Sequence, residues 1–194
     1  MRSPLDDFCE LIAAVGLSNA QKLQQRLQLR LLERGGVTLD SGRQRTVVRD
    51  FAFMNWVVAN GVWSNLENNR LRQDLMVASL KAFCLKTSCV CSESQSITDI
   101  AYLAAEIEEQ FKRFMAGYKA ALQEFEAHGV PLDARIAMVF TIEHLQEDLA
   151  LPNDIWGTVV PGFILESEDY AEIESLAFET NRAVTDRKGH SDPA

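Results

Sequence analysis

The stretch from Ser96 to Pro131, SITDIAYLAAEIEEQFKRFMAGYKAALQEFEAHGVP, decides the fold class of this chain. Its apolar residues recur at alternating steps of four and three, which places them along one side of a helix of about seven turns. Ser96 followed by Asp99 resembles a capping box, and Gly129 with Pro131 is a stop signal. Other helices must cover so long an apolar stripe. It consists of Ile100, Ala104, Ile107, Phe111, Phe114, Tyr118, Ala121 and Phe125.

Two more helices are predicted after this one. The first runs from about residue 133 to about residue 150, between two prolines, and the second runs from Ser167, as the N-cap, to about Val184. The segment LPNDIWGTVVPGFI at 151–164 separates them. It contains two prolines and two glycines, which predict an ordered loop.

The first half of the chain also reads mainly as helix. Its segment GGVTLDSGRQRTVV at 35–48 predicts a turn or a short hairpin around Asp40, Ser41 and Gly42. The fold class is therefore all-α, a bundle of about six helices with the option of one short β-hairpin near residues 37–48. The helices predicted here lie at 7–15, 18–34, about 51–66 and about 71–83.

The length of 194 residues allows one domain that buries its core without disulfides. We expect a single helical domain at 1–184, with an optional division into a basic segment at 1–50 and a helical bundle at 51–184, and a flexible tail at 185–194. No signal peptide is recognisable, and no apolar run is long enough to cross a membrane. The expected location is the cytoplasm, without a membrane partner.

The net charge of −9 argues against a protein that coats nucleic acid, because phosphate binding needs clustered Lys and Arg. The charge is unevenly distributed, however. From Ala20 to Ser88 the chain has eleven basic and five acidic residues, whereas from Val90 to Glu179 it has four basic and eighteen acidic residues. This asymmetry favours a basic contact surface that meets an acidic partner, or the acidic half of a second copy in a homodimer.

Three of the four cysteines lie in CLKTSCVC, as Cys84, Cys89 and Cys91. Their C-x4-C-x-C spacing matches no common zinc motif, and no second cysteine pair supplies a fourth ligand. A redox role needs an activated thiol, for which Lys86 is the neighbouring cation. We favour ordinary buried thiols and keep these cysteines as metal or redox candidates.

The segment FTIEHLQEDL at 140–149 places Glu143 with Glu147, and His144 with Asp148, one helical turn apart. Carboxylates and imidazole at this spacing bind metals in helical bundles, so Glu143, His144 and Glu147 are metal candidates. A Glu-x-x-His motif is absent because Thr141 stands three residues before His144. We favour a solvated acidic face. No catalytic motif appears elsewhere, so we expect no catalytic residue and no cofactor.

The segment FAFMNWVVANGVWSNL at 51–66 places Phe53, Trp56, Asn60 and Trp63 on one helix face. Such a face is usually core, since aromatic side chains bury the most area. Rigid aromatics also dominate interface energies, so Phe53, Trp56 and Trp63 are the candidates for partner binding. Asn60 beside Gly61 predicts a close helix crossing or a small polar pocket.

Residues 6–48 resemble the DNA-reading end of a winged helix-turn-helix regulator. The resemblance rests on a short helix, the turn VGLS at 15–18, a second helix from Ser18, and a possible wing that ends in RQRTVV. It implies that the second helix reads base edges while flanking cations contact phosphates. The implied nucleic-acid-binding residues are Lys22, Arg26, Arg30, Arg34, Arg43, Arg45 and Arg49.

The predicted function is a non-enzymatic cytosolic regulatory or adaptor protein that acts by binding a protein partner. The long amphipathic helix, the aromatic face and the charge asymmetry favour it, and no catalytic constellation competes with it. Two alternatives stay open. One is a helix-turn-helix DNA-binding transcription regulator with an acidic helical dimerisation or effector domain, and the other is a metal or thiol-redox protein.

Overall fold

A computed structural model describes residues 4–64, 66, 68–92, 96–129, 134–166 and 170–186 of the chain. These residues contain seven helices and no strand, so the predicted all-α bundle is confirmed. The helices are α1 (Pro4–Gly35), α2 (Ser41–Trp63), α3 (Asn69–Cys91), α4 (Ile97–Ala127), α5 (Ala134–Leu149), α6 (Asn153–Glu166) and α7 (Tyr170–Asp186).

Helix α4 follows the prediction, since its inward face buries Ile107, Phe111, Phe114 and Tyr118. The helix ends at Ala127, and the chain turns through a glycine with positive φ at position 129. The expected capping box is not formed, because the side chain of Ser96 makes no capping hydrogen bond. Burial of the apolar stripe, rather than a side-chain cap at Ser96, therefore stabilises this helix.

Helix α2 is the centre of the bundle. It packs against α1, α3, α5 and α7 and also touches α4, and almost every residue from 47 to 59 is buried. Asp40 is its N-cap, because the Asp40 side chain accepts a hydrogen bond of 2.9 Å from the Arg43 backbone N–H. A helix covered on nearly all sides reads as a continuous apolar run, which is the pattern of its sequence.

The predicted break at 15–18 is wrong, because α1 is one continuous helix. Its buried residues Ile12, Leu23, Leu27 and Leu31 keep one face across the VGLS segment. Gly16 lies on the same face, where its carbonyl accepts a hydrogen bond of 2.7 Å from the Asn55 side chain. A continuous buried face outweighs the local turn composition.

The optional hairpin near residues 37–48 is also not formed. Residues 41–48 belong to α2, and five residues, 36–40, connect it to α1. Gly36 has φ 62°, and the Gln28 side chain accepts from the Leu39 N–H at 2.9 Å and donates to the Val37 carbonyl at 3.4 Å. The Asp-Ser-Gly segment is thus an N-cap and a first helical turn.

Segment 151–164, predicted as a loop, forms most of α6. Trp156, Val159 and Phe163 are buried at helical spacing, and the resulting apolar face outweighs the two glycines and Pro161. The predicted helices at about 133–150 and 167–184 correspond to α5 and α7, and no helix within the described segments is long and apolar enough to span a membrane.

One continuous hydrophobic core takes side chains from all seven helices. The optional domain boundary at residue 50 falls inside α2, which packs on both sides of it. The expected flexible tail lies mostly outside the described residues, apart from positions 185 and 186 at the end of α7.

Two glycines on different helices give a matched stability prediction. A Cβ at Gly16 would lie 2.6 Å from the buried Phe83 ring, whereas a Cβ at exposed Gly61 would meet nothing within 4 Å. We expect Gly16→Ala to lower the free energy of unfolding by about 1–3 kcal/mol through overpacking. Gly61→Ala should raise it by up to about 1 kcal/mol through helix propensity. Urea unfolding measures the free energy of unfolding of both variants. Changes of the same sign would contradict the close contact between Gly16 and the Phe83 ring.

Candidate functional site

A cluster of ionic and polar side chains lies where α2, α4 and α5 meet. Helix α2 contributes Arg49 and Asp50, α4 contributes Gln110, and α5 contributes His144 and Asp148. Buried charges are costly unless they are paired, so such a cluster in a helical core needs a physical or functional reason.

The Arg49 guanidinium holds the cluster together. Its Nε donates to Asp50 Oδ1 at 2.6 Å, its Nη2 donates to Asp148 Oδ2 at 2.8 Å, and its Nη1 donates to Gln110 Oε1 at 3.2 Å. The Arg49 side chain is 17% exposed. Burial opposes the charge, but the carboxylates of Asp50 and Asp148 outweigh it and raise the pKa of Arg49. The guanidinium is therefore a fixed positive charge in this cluster.

Asp50 is the most deeply buried member, since its side chain is 0% exposed. Its Oδ1 accepts from Arg49, whereas its Oδ2 is buried without any hydrogen-bond partner. Burial raises the pKa of Asp50, although the neighbouring Arg49 favours the charged form. An unpartnered carboxylate oxygen at this depth is unusual, because buried oxygens normally accept a bond.

His144 completes the cluster on its solvent side. Its ring stacks on Phe140 with an interplanar angle of 10° and meets Phe114 edge-on, so aromatic packing orients the imidazole. The Nε2 atom lies 4.0 Å from Asp148 Oδ2. One ligand atom each from Asp50, His144 and Asp148 lies within 4.8 Å of the other two. The carboxyl groups of Asp50 and Asp148 thus both bond to one guanidinium.

The predicted metal candidates of α5 are thus divided. His144 belongs to the cluster together with Asp148, its expected i+4 partner, whereas Glu143 and Glu147 are exposed and lie outside it. Asp50 was missed, because only the tertiary fold brings α2 beside α5. A carboxylate inside the run VVRDFAFMNWVVA is nevertheless a usable sequence signal, since charges rarely occur in fully apolar segments.

The cysteine candidates do not come together. All three lie on α3, where Cys84 and Cys91 are two turns and about 10 Å apart, and Cys89 is exposed. Burial raises the pKa of the Cys84 thiol to about 12 and that of Cys91 to about 11. These two thiols are therefore protonated at neutral pH, which disfavours both metal ligation and redox exchange.

The aromatic candidates for partner binding are core residues. Phe53, Trp56 and Trp63 are all buried, and Trp56 Nε1 donates a hydrogen bond of 3.0 Å to Ser79 Oγ. The Trp56 and Phe53 rings contact Phe111 of α4. Because these side chains are buried in the core, their positions do not agree with a role as surface anchors for a partner.

The predicted DNA-reading residues do not form a helix-turn-helix unit, because α1 is continuous and the wing is part of α2. Lys22, Arg26 and Arg34 are exposed on α1, where Lys22 Nζ lies 3.8 Å from a Glu172 carboxylate. Arg30 and Arg45 are half-buried, and Arg43 pairs with Asp40 at 3.9 Å. Arg49 lies in the buried cluster and is not available to a phosphate.

A groove of about 720 Å³ runs between the first turns of α1 and the middle of α3. Its apolar lining includes two exposed side chains of α3, since Val77 is 55% and Leu85 51% exposed. Four charged residues also line it, three of them acidic and one basic. The lining residues are Leu5, Asp6, Cys9, Glu10, Gln73, Asp74, Val77, Ala78, Lys81, Ala82 and Leu85.

Among the described residues, the fold and these features define an all-helical protein with a partly buried ionic cluster and a surface groove. Comparison of the chain with protein-family models, curated proteins and solved structures found no significant match.

Proposed function

We propose that the chain is a non-enzymatic regulatory or adaptor protein of the cytosol that binds a protein partner in the groove between α1 and α3. The observation that supports this most is the exposure of Val77 and Leu85, which line that groove. Exposed apolar side chains that border a concave surface are typical of binding sites rather than of ordinary surface.

The groove suits an α-helix. Its lining on α3 extends from residue 73 to residue 85, which is about 18 Å of helix or slightly more than three turns. A helix of that length presents apolar anchors at positions i, i+3 or i+4, and i+7 on one face. The small side chains of Ala78 and Ala82 between α1 and α3 leave room for such anchors.

The charges of the groove favour a basic partner helix. Asp6, Glu10 and Asp74 line the groove against a single cation, Lys81. Complementary charge speeds association and rejects partners of the same sign. A partner helix with Lys or Arg beside its apolar face therefore fits better than one flanked by Glu or Asp.

The test uses two synthetic helical peptides of about 18 residues that share one leucine face, one flanked by Lys and Arg and the other by Glu. We expect the basic peptide to bind at least about tenfold more tightly in fluorescence anisotropy. A Val77→Asp/Leu85→Asp variant should lose the binding. The matched control is Leu29→Asp/Leu32→Asp, which alters two similarly exposed leucines of α1 that do not line the groove.

Equal binding of the two peptides, absence of binding, or equal loss in both variants would contradict a docking site in this groove. The same assay addresses the DNA-binding alternative, with random duplex DNA at about 50 and about 200 mM salt. Binding of DNA that falls steeply over this range, and is lost in an Arg26→Ala variant, would favour a nucleic-acid partner over a protein.

A further inference from the structure

We propose that Asp50, His144 and Asp148 form a binding site for one divalent transition-metal ion. The three residues come from α2 and α5, and one ligand atom of each lies within 4.8 Å of the other two. The site lies in the cluster of α2, α4 and α5, whereas the groove lies between α1 and α3. The inference therefore does not depend on the proposed function.

The independent observation behind this site is the Oδ2 atom of Asp50. It is buried, has no hydrogen-bond partner, and belongs to a side chain that is 0% exposed. Leaving a buried acceptor unsatisfied costs free energy, and more so when the group is charged. A cation bound to this oxygen removes that cost, whereas nothing else among the described groups bonds to it.

Arg49 donates to only one oxygen of each carboxylate. It donates to Asp50 Oδ1 and to Asp148 Oδ2, so Asp50 Oδ2 and Asp148 Oδ1 are the remaining oxygens. In metal sites the ligating carboxylates are themselves held by hydrogen bonds, which orient them. Arg49 therefore orients both carboxyl groups, as the hydrogen-bonding partners of metal ligands do.

The site contracts when it binds an ion. Metal–ligand bonds of about 2.0–2.2 Å bring ligand atoms to about 3–3.5 Å from one another, which is closer than the present spacing. The Asp50 carboxylate is fixed by burial, but His144 is 28% and Asp148 35% exposed, so these two side chains have room to turn toward it. Their exposure also gives the ion an entry path and water a place to complete the coordination.

The ligand set selects the kind of ion. One imidazole with two carboxylates suits Zn²⁺, Mn²⁺ or Fe²⁺, whereas Mg²⁺ and Ca²⁺ prefer all-oxygen sites. The buried thiol of Cys84 and the half-buried thiol of Cys91 lie outside this group of ligands. The ion is therefore expected to bind through nitrogen and oxygen only.

The test titrates the purified full-length chain, first stripped of metal with a chelator, with Zn²⁺ and with Mn²⁺ in a calorimeter. We expect one equivalent to bind, with a matching rise in the melting temperature. His144→Gln and Asp148→Asn should each weaken binding at least about tenfold, since each removes a ligand. Both positions are partly exposed, so these variants should fold.

The matched controls are Glu143→Gln and Glu147→Gln, which remove neighbouring carboxylates of α5 outside the cluster. They should leave the affinity unchanged. Co²⁺ provides a second readout, because its visible absorption distinguishes nitrogen and oxygen ligands from thiolates. Absence of binding at millimolar metal, equal losses in ligand and control variants, or a thiolate band with Co²⁺ would overturn the proposal.

Discussion

Replacing Arg49 by Met is expected to lower the free energy of unfolding by about 3–5 kcal/mol near pH 7. The guanidinium bonds to Asp50, Asp148 and Gln110, and its carbon lies 6.0 Å from the centre of the Phe53 ring. Methionine keeps much of the apolar contact but leaves the Asp50 carboxylate buried without a cation. Removal of one partner of a buried ion pair costs more than the pair itself contributes.

The loss should depend on pH in a defined direction. Burial raises the pKa of Asp50, and Arg49 opposes that effect, so the pKa of Asp50 rises further in Arg49→Met. A carboxyl group whose pKa is higher in the folded state than in the unfolded state binds its proton more tightly when the protein is folded. The stability that this contributes is present at low pH and is lost as the pH rises through the folded-state pKa. The destabilisation should therefore be small near about pH 4 and largest at about pH 7–8.

Urea unfolding of both proteins across this pH range measures the effect. Arg43→Met is the matched control, because Arg43 is exposed and pairs with exposed Asp40 at 3.9 Å. It should change stability by no more than about 0.5 kcal/mol at any pH. A loss in Arg49→Met that is the same at pH 4 and pH 7.5 would show that packing, not charge, explains it.

Replacing Phe114 by Ala is expected to cost about 3–5 kcal/mol, because it empties the centre of the interface between α2, α4 and α5. The ring is almost fully buried and contacts Phe53, Phe140 and His144 at centroid distances of 5.1–5.4 Å. The cost combines the lost apolar burial with a cavity that three other aromatic rings border.

Chemical denaturation again provides the measurement, with Tyr102→Ala as the control on the same helix. Tyr102 is 77% exposed, so its loss should lie within about 0.5 kcal/mol of zero. A small effect at Phe114 would contradict the packing of α4 on α2 and α5. A large loss of stability in Phe114→Ala together with a small loss in Tyr102→Ala would confirm that the face of α4 with Phe114 is buried and the face with Tyr102 is exposed.

The sequence predicts the parts of this fold whose pattern is strong over many residues. The apolar stripe of α4 continues over about seven turns, so this helix follows from periodicity. Prolines at positions 131 and 152 predict where α5 begins and ends. The sequence-based predictions of helix ends are wrong where the local composition opposes a longer apolar pattern. Glycine at position 16 suggests a turn, but the buried face of α1 continues through it, because its missing side chain admits Phe83.

The ionic cluster was only partly predictable, for a physical reason. His144 and Asp148 are neighbours by helical spacing, whereas Asp50 lies almost a hundred residues earlier and meets them through tertiary packing. The basic residues Arg43 and Arg45 nearby in sequence predict that Arg49 contacts phosphate. Its burial depends on α5 covering α2, which no pattern within the first fifty residues encodes.

Docking of a basic protein helix in the groove between α1 and α3 is tested most directly by photo-cross-linking in cells that produce the protein. A photoreactive phenylalanine analogue is placed at position 77 in the groove, or at position 29 outside it. We expect a discrete adduct from position 77 alone, joined to a basic amphipathic helix and lost with Asp74→Lys. The same adducts from both positions, or an adduct unaffected by Asp74→Lys, would contradict it.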